Sequence, residues 1–139
     1  MYSFAVKYPG GFEDAVARTI DSLQKEGFGV LTTIDVKATL KKKLNVEGRP
    51  YLILGACNPP FAHRALEAEP DIGILMPCNV VVREDGDRSV SVVFTDVRAL
   101  FTLVGRPEVA PLAKEVHERL ERVARAVAAA PRDESCESA

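Results

Sequence analysis

The sequence predicts an α+β domain of two layers, in which an about five-stranded, mainly antiparallel sheet carries helices packed on one face. Short stretches of apolar and β-branched residues are separated by Pro, Gly, Asn and Asp, which is the pattern of strands and turns. Two longer stretches instead repeat apolar residues at helical spacing along a single stripe. Each such helix has one face to bury, and a sheet provides the matching surface.

The first half of the chain alternates strand and helix. Ser3 to Tyr8 alternates in polarity and predicts a first strand, which Pro9-Gly10-Gly11 ends. A helix follows, and Gly27 stands where a C-terminal glycine cap belongs. Phe28 to Asp35 predicts a second strand, and Asp35 caps a short helix. The apolar positions predicted to be buried by these two helices are Phe12, Val16, Ile20 and Leu23 in the first and Val36, Leu40 and Leu44 in the second.

A central strand from Arg49 to Cys57 is followed by two prolines that have no amide hydrogen to give to a sheet. We expect a helix from about Phe61 to Glu69, since Pro can occupy a first helical position and Pro70 stops the helix. The next strand opens after Pro77 and places Cys78, Val80 and Val82 on one face.

The last third of the chain begins with a hairpin. Asp85-Gly86 readily adopts the positive φ angles of tight turns, so we expect Val90 to Thr95 to return antiparallel to the preceding strand. Asp96 caps a turn of helix, and a long final helix runs from about Glu108 or Pro111 to Ala130. His117 lies among charged residues on that helix and is predicted at the surface.

Length and composition indicate an ordinary globular protein. The chain has 139 residues, of which 47% are hydrophobic and 27% are charged, and a net charge of −2. A chain of this length buries a core without disulfides or metal. We expect one domain over residues 1–130 and a disordered tail over residues 131–139.

The net charge and the hydropathy pattern limit the kinds of partner that we expect. Binding to nucleic acid is not expected, because phosphate contact requires clustered Lys and Arg and this chain is slightly acidic. A membrane partner is not expected either, since the sequence lacks an apolar run long enough to span a bilayer. We therefore expect a cytoplasmic protein, in which three cysteines do not indicate a disulfide framework.

The stretch from Gly55 to Glu84 contains the candidate site. Cys57 ends one central strand and Cys78 begins the next, so we expect the two thiols to lie close together, with His63 near both. The positive end of the intervening helix would stabilise a thiolate there. Asn58 and Asn79 each adjoin a cysteine. We predict a ligand-binding site formed by Cys57, Asn58, His63, Cys78 and Asn79.

Other interpretations of these residues stay open. In one interpretation Cys57 and Cys78 are packing residues, because cysteine is among the most buried residue types, and the asparagine side chains bond to turn backbone. Alternatively, Cys57, Cys78 and His63 hold a soft metal such as Cu(I), or Zn(II) with an open position, or the two thiols form a redox pair. An enzyme is the third alternative, although the sequence has no recognisable catalytic motif and indicates no particular cofactor.

Several motifs resemble those of a known family. The residues that carry the likeness are Glu26-Gly27-Phe28, Tyr51 to Gly55, Cys57-Asn58-Pro59, Ala65-Leu66 with Pro70, and Leu75 to Val82. They resemble the domain-of-unknown-function 302 family of small bacterial and archaeal proteins, and the likeness covers nearly all of the chain except the tail. The resemblance implies a compact α+β homodimer without an established activity.

The helices leave the other face of the predicted sheet free. If that face is also apolar, it has to be covered, and a second copy of the chain is the simplest candidate. We therefore predict a homodimer that binds a small ligand or a partner.

Overall fold

The computed structural model describes residues 1–130, and the predicted tail at residues 131–139 lies outside the described residues. Each predicted strand is confirmed: β1 (Ser3–Tyr8), β2 (Gly29–Asp35), β3 (Tyr51–Cys57), β4 (Cys78–Glu84) and β5 (Val90–Thr95). The helices are α1 (Phe12–Lys25), α2 (Val36–Leu44), α3 (Pro59–Ala68), α4 (Val97–Thr102) and α5 (Ala110–Ala128). A 3₁₀ helix at Pro70–Leu75, which the sequence did not predict, joins α3 to β4.

The predicted α+β fold class is confirmed. The strands form one sheet in the order β1-β5-β4-β3-β2, and all neighbours are antiparallel. α1 contacts β4 and β5, and α5 contacts β1 and β5, so these two helices cover one face of the sheet. The core lies between these helices and the sheet, and its fully buried strand residues are Leu54, Ala56, Val80, Val82, Val90, Val92 and Phe94. No helix within residues 1–130 is long and apolar enough to cross a membrane.

The end of α1 is tied to the two helices that border the candidate site. Gly27 has a φ of +87° and so adopts the left-handed conformation predicted for a C-terminal cap. The preceding carbonyl, that of Glu26, accepts hydrogen bonds from Asn58 Nδ2 at 3.3 Å and from Arg119 Nη1 at 3.0 Å. The Glu26 carboxylate accepts a third from Arg122 Nε at 2.7 Å. These bonds fix the start of α3 and the middle of α5 against the same helix end.

The predicted burial of α2 is wrong. Asp35 does cap the helix, since its Oδ1 accepts a hydrogen bond from the Ala38 amide at 2.9 Å. However, no residue of α2 is buried, and Leu40 and Leu44 are 40% and 66% exposed. The helical spacing of apolar residues indicates a face that is fit to be covered, but it does not say that the same chain covers it.

The predicted surface position of His117 is also wrong. The residue is only 4% exposed, its Nε2 lies 2.7 Å from Glu121 Oε1, and its ring meets the ring of Phe4 edge-on at 5.2 Å. α5 packs against β1 as well as α1, so the buried surface of this helix is wider than one stripe.

The β4–β5 hairpin is confirmed, but its turn differs from the predicted one. The Asp85 amide donates to the Ser89 carbonyl at 2.8 Å, so the loop is longer than a two-residue turn. The positive φ falls on Arg88, at 68°, and not on Gly86.

Candidate functional site

An apolar cleft lies where β3 ends and β4 begins, between these strand ends and α3, α4 and α5. Its walls are mainly large apolar side chains, among them Phe28, Phe61, Met76, Phe101 and Val116. The cavity volume is about 30 Å³. That is room for about one or two water molecules, and far below the roughly 300–1,000 Å³ of sites that bind drug-sized molecules.

Three of the predicted site residues line this cleft: Cys57, Asn58 and Cys78. The antiparallel register pairs Cys78 with Ala56, so Cys57 and Cys78 lie at the same end of the sheet. Alternation along β3 places the Cys57 side chain on the face opposite that of the buried Ala56. Both cysteines are partly buried and neither is in a disulfide. The two strand ends are adjacent, and the close approach of the two thiols stays a prediction.

His63 and Asn79 lie outside the cleft. The side chain of His63 is 73% exposed, and its Nε2 lies 2.9 Å from Glu67 Oε1. Because Phe61 is buried, a residue two positions later in α3 lies about 200° around the helix and faces outward. Asn79 is exposed next to the buried Val80, and alternation along β4 places it on the other face of the sheet. The expected approach of His63 to both thiols is therefore not observed.

The metal site predicted from Cys57, Cys78 and His63 is not assembled. Within residues 1–130, no group of three or more His, Cys, Asp or Glu side chains is placed to hold a metal ion. The outward direction of His63 is the physical reason, because it leaves the two thiols without the imidazole.

Asn58 has a structural role at the edge of the cleft. The residue is 7% exposed and occupies the N-cap position of α3, yet its side chain makes no capping hydrogen bond. Its amide nitrogen instead donates to the carbonyl of Glu26. This contact agrees with the interpretation in which the asparagine satisfies backbone groups.

A family model described as "Domain of unknown function DUF302" matches residues 2–127. The chain belongs to the DUF302 family. A crystal structure of an uncharacterized conserved DUF302 protein from Bacillus stearothermophilus is similar, with a TM-score of 0.85 and 27% sequence identity over 91% of this chain and 98% of that chain. No curated protein matches the sequence. The suspected family and the predicted fold are thus confirmed, and the function has to be argued from the cleft of this DUF302 domain.

Several residues that form the cleft were not predicted. Met76 lies two residues before the start of β4, whereas Phe101 is in α4 and Val116 in α5. Nothing in the sequence marks Phe101 as a neighbour of the cysteines, because this proximity depends on how α4 and α5 pack onto the sheet.

The thiols of this DUF302 domain have raised pKa values. Burial raises the pKa of the Cys57 thiol. Burial, together with the nearby charge of an ionised Cys57, raises the pKa of Cys78 to about 11. The predicted stabilisation of a thiolate by the start of α3 is therefore outweighed by loss of hydration. Reactive redox thiols have lowered pKa values, so neither cysteine has the property expected of a redox pair.

The raised pKa of Cys78 makes stability depend on pH. A thiol whose pKa is higher in the folded state stabilises the fold below its unfolded pKa, near 9, and that contribution disappears as the pH rises towards 11. We expect the free energy of unfolding of the native protein to fall more steeply over this range than that of Cys78→Ala. Urea unfolding at a series of pH values measures both. If the free energy of unfolding depended on pH equally in the two proteins, the raised pKa of Cys78 would be contradicted.

Proposed function

We propose that this DUF302 domain is a cytoplasmic, homodimeric binding module that takes up a small ligand in the cleft beside Cys57, Asn58 and Cys78. The observation that supports the proposal most directly is the convergence of two strand ends and three helices on one apolar cavity. Ligand sites are typically concave and apolar with a few polar groups, and this cleft has that character.

The dimensions of the cleft limit the ligand. A cavity of about 30 Å³ admits a single ion or a group of a few atoms. A larger ligand requires the side chains at the wall to move. Met76 is suited to such movement, since methionine is unbranched and adapts its shape at little cost.

The homodimer is supported by the sheet face opposite α1 and α5. One row of apolar side chains crosses all five strands of this face in register: Ala5, Val93, Val81, Ile53 and Ile34. We call this face the open face. Monomeric proteins seldom leave such a continuous apolar row in water. Two copies related by a two-fold axis would stack the row on itself.

α2 extends the open face. A space of about 230 Å³ lies between this helix and β3, lined by residues that include Val36, Leu40 and Tyr51. Tyr51 is on the same face of β3 as Ile53, because both are odd-numbered positions of one strand. The exposed stripe of α2 and the open face therefore adjoin each other, and a second copy would bury both.

Filling the cleft is expected to abolish binding. Ala62 lines the cleft from α3 and Leu is a good helix former, so Ala62→Leu removes space without disfavouring the helix. We expect at least one probe from a panel of phenol, indole, butyrate, Zn(II) and chelator-buffered Cu(I) to raise the melting temperature of the native protein. At ten times its Kd, a probe adds about 1.4 kcal/mol to stability, which is about 5 °C for a domain of this size.

The matched control is Ala126→Leu, the same change at an exposed position of α5. This variant is expected to keep the full response to the probe, whereas Ala62→Leu loses it. A probe that stabilises both variants equally would place binding elsewhere, and a panel without any response would contradict the proposal.

A further inference from the structure

A second concave surface lies outside the cleft, between α4 and the start of α5. We call it the basic groove, and the residues that define it are Arg98, Phe101, Arg106, Ala110, Ala113 and Lys114. Its volume is about 550 Å³. That is far larger than the cleft and within the roughly 300–1,000 Å³ typical of sites for small organic molecules.

The basic groove takes its shape from two helix faces and the loop that joins them. Arg98 and Phe101 are three positions apart on α4, and Ala110 and Lys114 are four positions apart on α5, so each pair shares one face of its helix. Arg106 lies in the connecting loop. The three cationic side chains therefore come from three different segments that border the same groove.

The groove combines positive charge with an apolar floor. Although the whole chain has a net charge of −2, no Asp or Glu within residues 1–130 lines the groove, and each charged residue that does is Arg or Lys. Between these cations lie the side chains of Phe101 and Ala113, which are only 9% and 4% exposed. A surface of this kind attracts anions and offers contact to an apolar group.

The two guanidinium groups keep hydrogen-bond donors for a ligand. Arg106 uses Nε to donate to Glu69 Oε2 at 3.1 Å, and a guanidinium has four further N–H donors. Arg98 approaches Asp96 through Nε and Nη2, both at 3.5 Å. The two arginine side chains are 54% and 55% exposed. Ion pairs this exposed are weak, so they orient the arginines without preventing an incoming carboxylate from binding.

We infer that the basic groove binds a small organic carboxylate, with the negative group among Arg98, Arg106 and Lys114 and the apolar body against Phe101 and Ala113. Arginine is well suited to a carboxylate, because its planar fork of donors matches the two oxygens. An inorganic anion would leave the apolar floor uncovered, and a neutral molecule would leave the cations without a partner. This site is separate from the cleft of the proposed function, although Phe101 lines both.

The test is a titration of the native full-length chain with cinnamate, followed by ¹H–¹⁵N NMR. We expect saturable shifts of backbone amides within residues 98–114 and a Kd on the order of 1 mM or tighter. Cinnamamide has the same shape without the charge, and inorganic phosphate has charge without the apolar body. Each is expected to bind about tenfold more weakly than cinnamate.

Neutral substitutions test the cations. Lys114→Gln and Arg106→Gln are each expected to weaken cinnamate binding about fivefold, and the double variant about 25-fold. Glutamine is a good helix former, so Lys114→Gln should not disturb α5. Lys25→Gln is the matched control, because it makes the same change at a side chain of α1 that is 74% exposed and does not line the groove. That variant should keep the native Kd.

Four results would each overturn the inference: no binding of cinnamate, equal affinity for cinnamamide, equal affinity for phosphate, or a native Kd in the double variant. Ala62→Leu separates the groove from the cleft. This variant is expected to bind cinnamate as the native protein does, since Ala62 lines only the cleft. Loss of cinnamate binding in Ala62→Leu would place the ligand in the cleft, which would support the proposed function and contradict the assignment to the groove.

Discussion

Replacing Ile53 by lysine is expected to convert the proposed dimer into a monomer. Ile53 is central in the apolar row of the open face, between Ile34 and Val81. In a two-fold dimer the substitution places a charge at two symmetric positions of the interface. An unpaired buried charge costs about 3–5 kcal/mol, so the Kd should rise more than 100-fold. Sedimentation velocity at micromolar concentration is expected to show twice the chain mass of 15.1 kDa for the native protein and the single mass for the variant.

Leu103→Lys provides the comparison. Leu103 is 76% exposed after α4 and lies in no strand of the open face, so the same charge there should leave the dimer intact. Circular dichroism is expected to show that both variants are folded. A monomeric native protein, or an Ile53→Lys variant that remains dimeric, would refute the role of the open face.

Replacing Gly55 by alanine is expected to cause the largest loss of stability among the changes considered. Gly55 is buried in β3, and an added Cβ would lie 2.2 Å from Thr32 Oγ1 and 2.9 Å from Pro77 Cγ. Overpacking a rigid site costs about 1–3 kcal/mol, and two contacts this short favour the upper end. Urea unfolding should therefore show a decrease of at least about 2 kcal/mol in the free energy of unfolding.

Gly29→Ala is the matched change in the adjoining strand, where an added Cβ would meet no atom within 4 Å. We expect that variant to stay within about 0.5 kcal/mol of the native protein. Adding Thr32→Ala to Gly55→Ala should recover part of the loss, because it removes the closer of the two contacts. An unchanged stability in Gly55→Ala would show that the packing around Pro77 is looser than the structure indicates.

The strands and their boundaries were predictable because their signals are local. Proline and glycine mark the ends of β1 and β3, and alternation in β4 correctly separates Val80 and Val82 from the other face. The caps of α2 and α4 were also predictable, since an aspartate precedes each helix and accepts its first amides.

The predictions that were wrong concern which surfaces of the folded chain contact each other. The stripe of α2 is periodic but exposed, and His117 is buried by β1, a contact between residues more than 100 positions apart in the chain. The direction of His63 could have been predicted from Phe61, had the inner face of α3 been identified first. The position of the cleft could be predicted only from the ends of β3 and β4. Its walls could not, because Phe101 and Val116 reach the cleft through the packing of α4 and α5.

The central claim of this account is that the cleft beside Cys57 and Cys78 is the binding site. Methyl-detected NMR of the native protein during titration with a probe that stabilises it is the most direct test. We predict that the perturbed methyl groups are those that line the cleft, in Ala62, Ala65, Met76, Leu112 and Val116. Saturable shifts confined to other methyl groups, such as those of α2 or the open face, would contradict the claim.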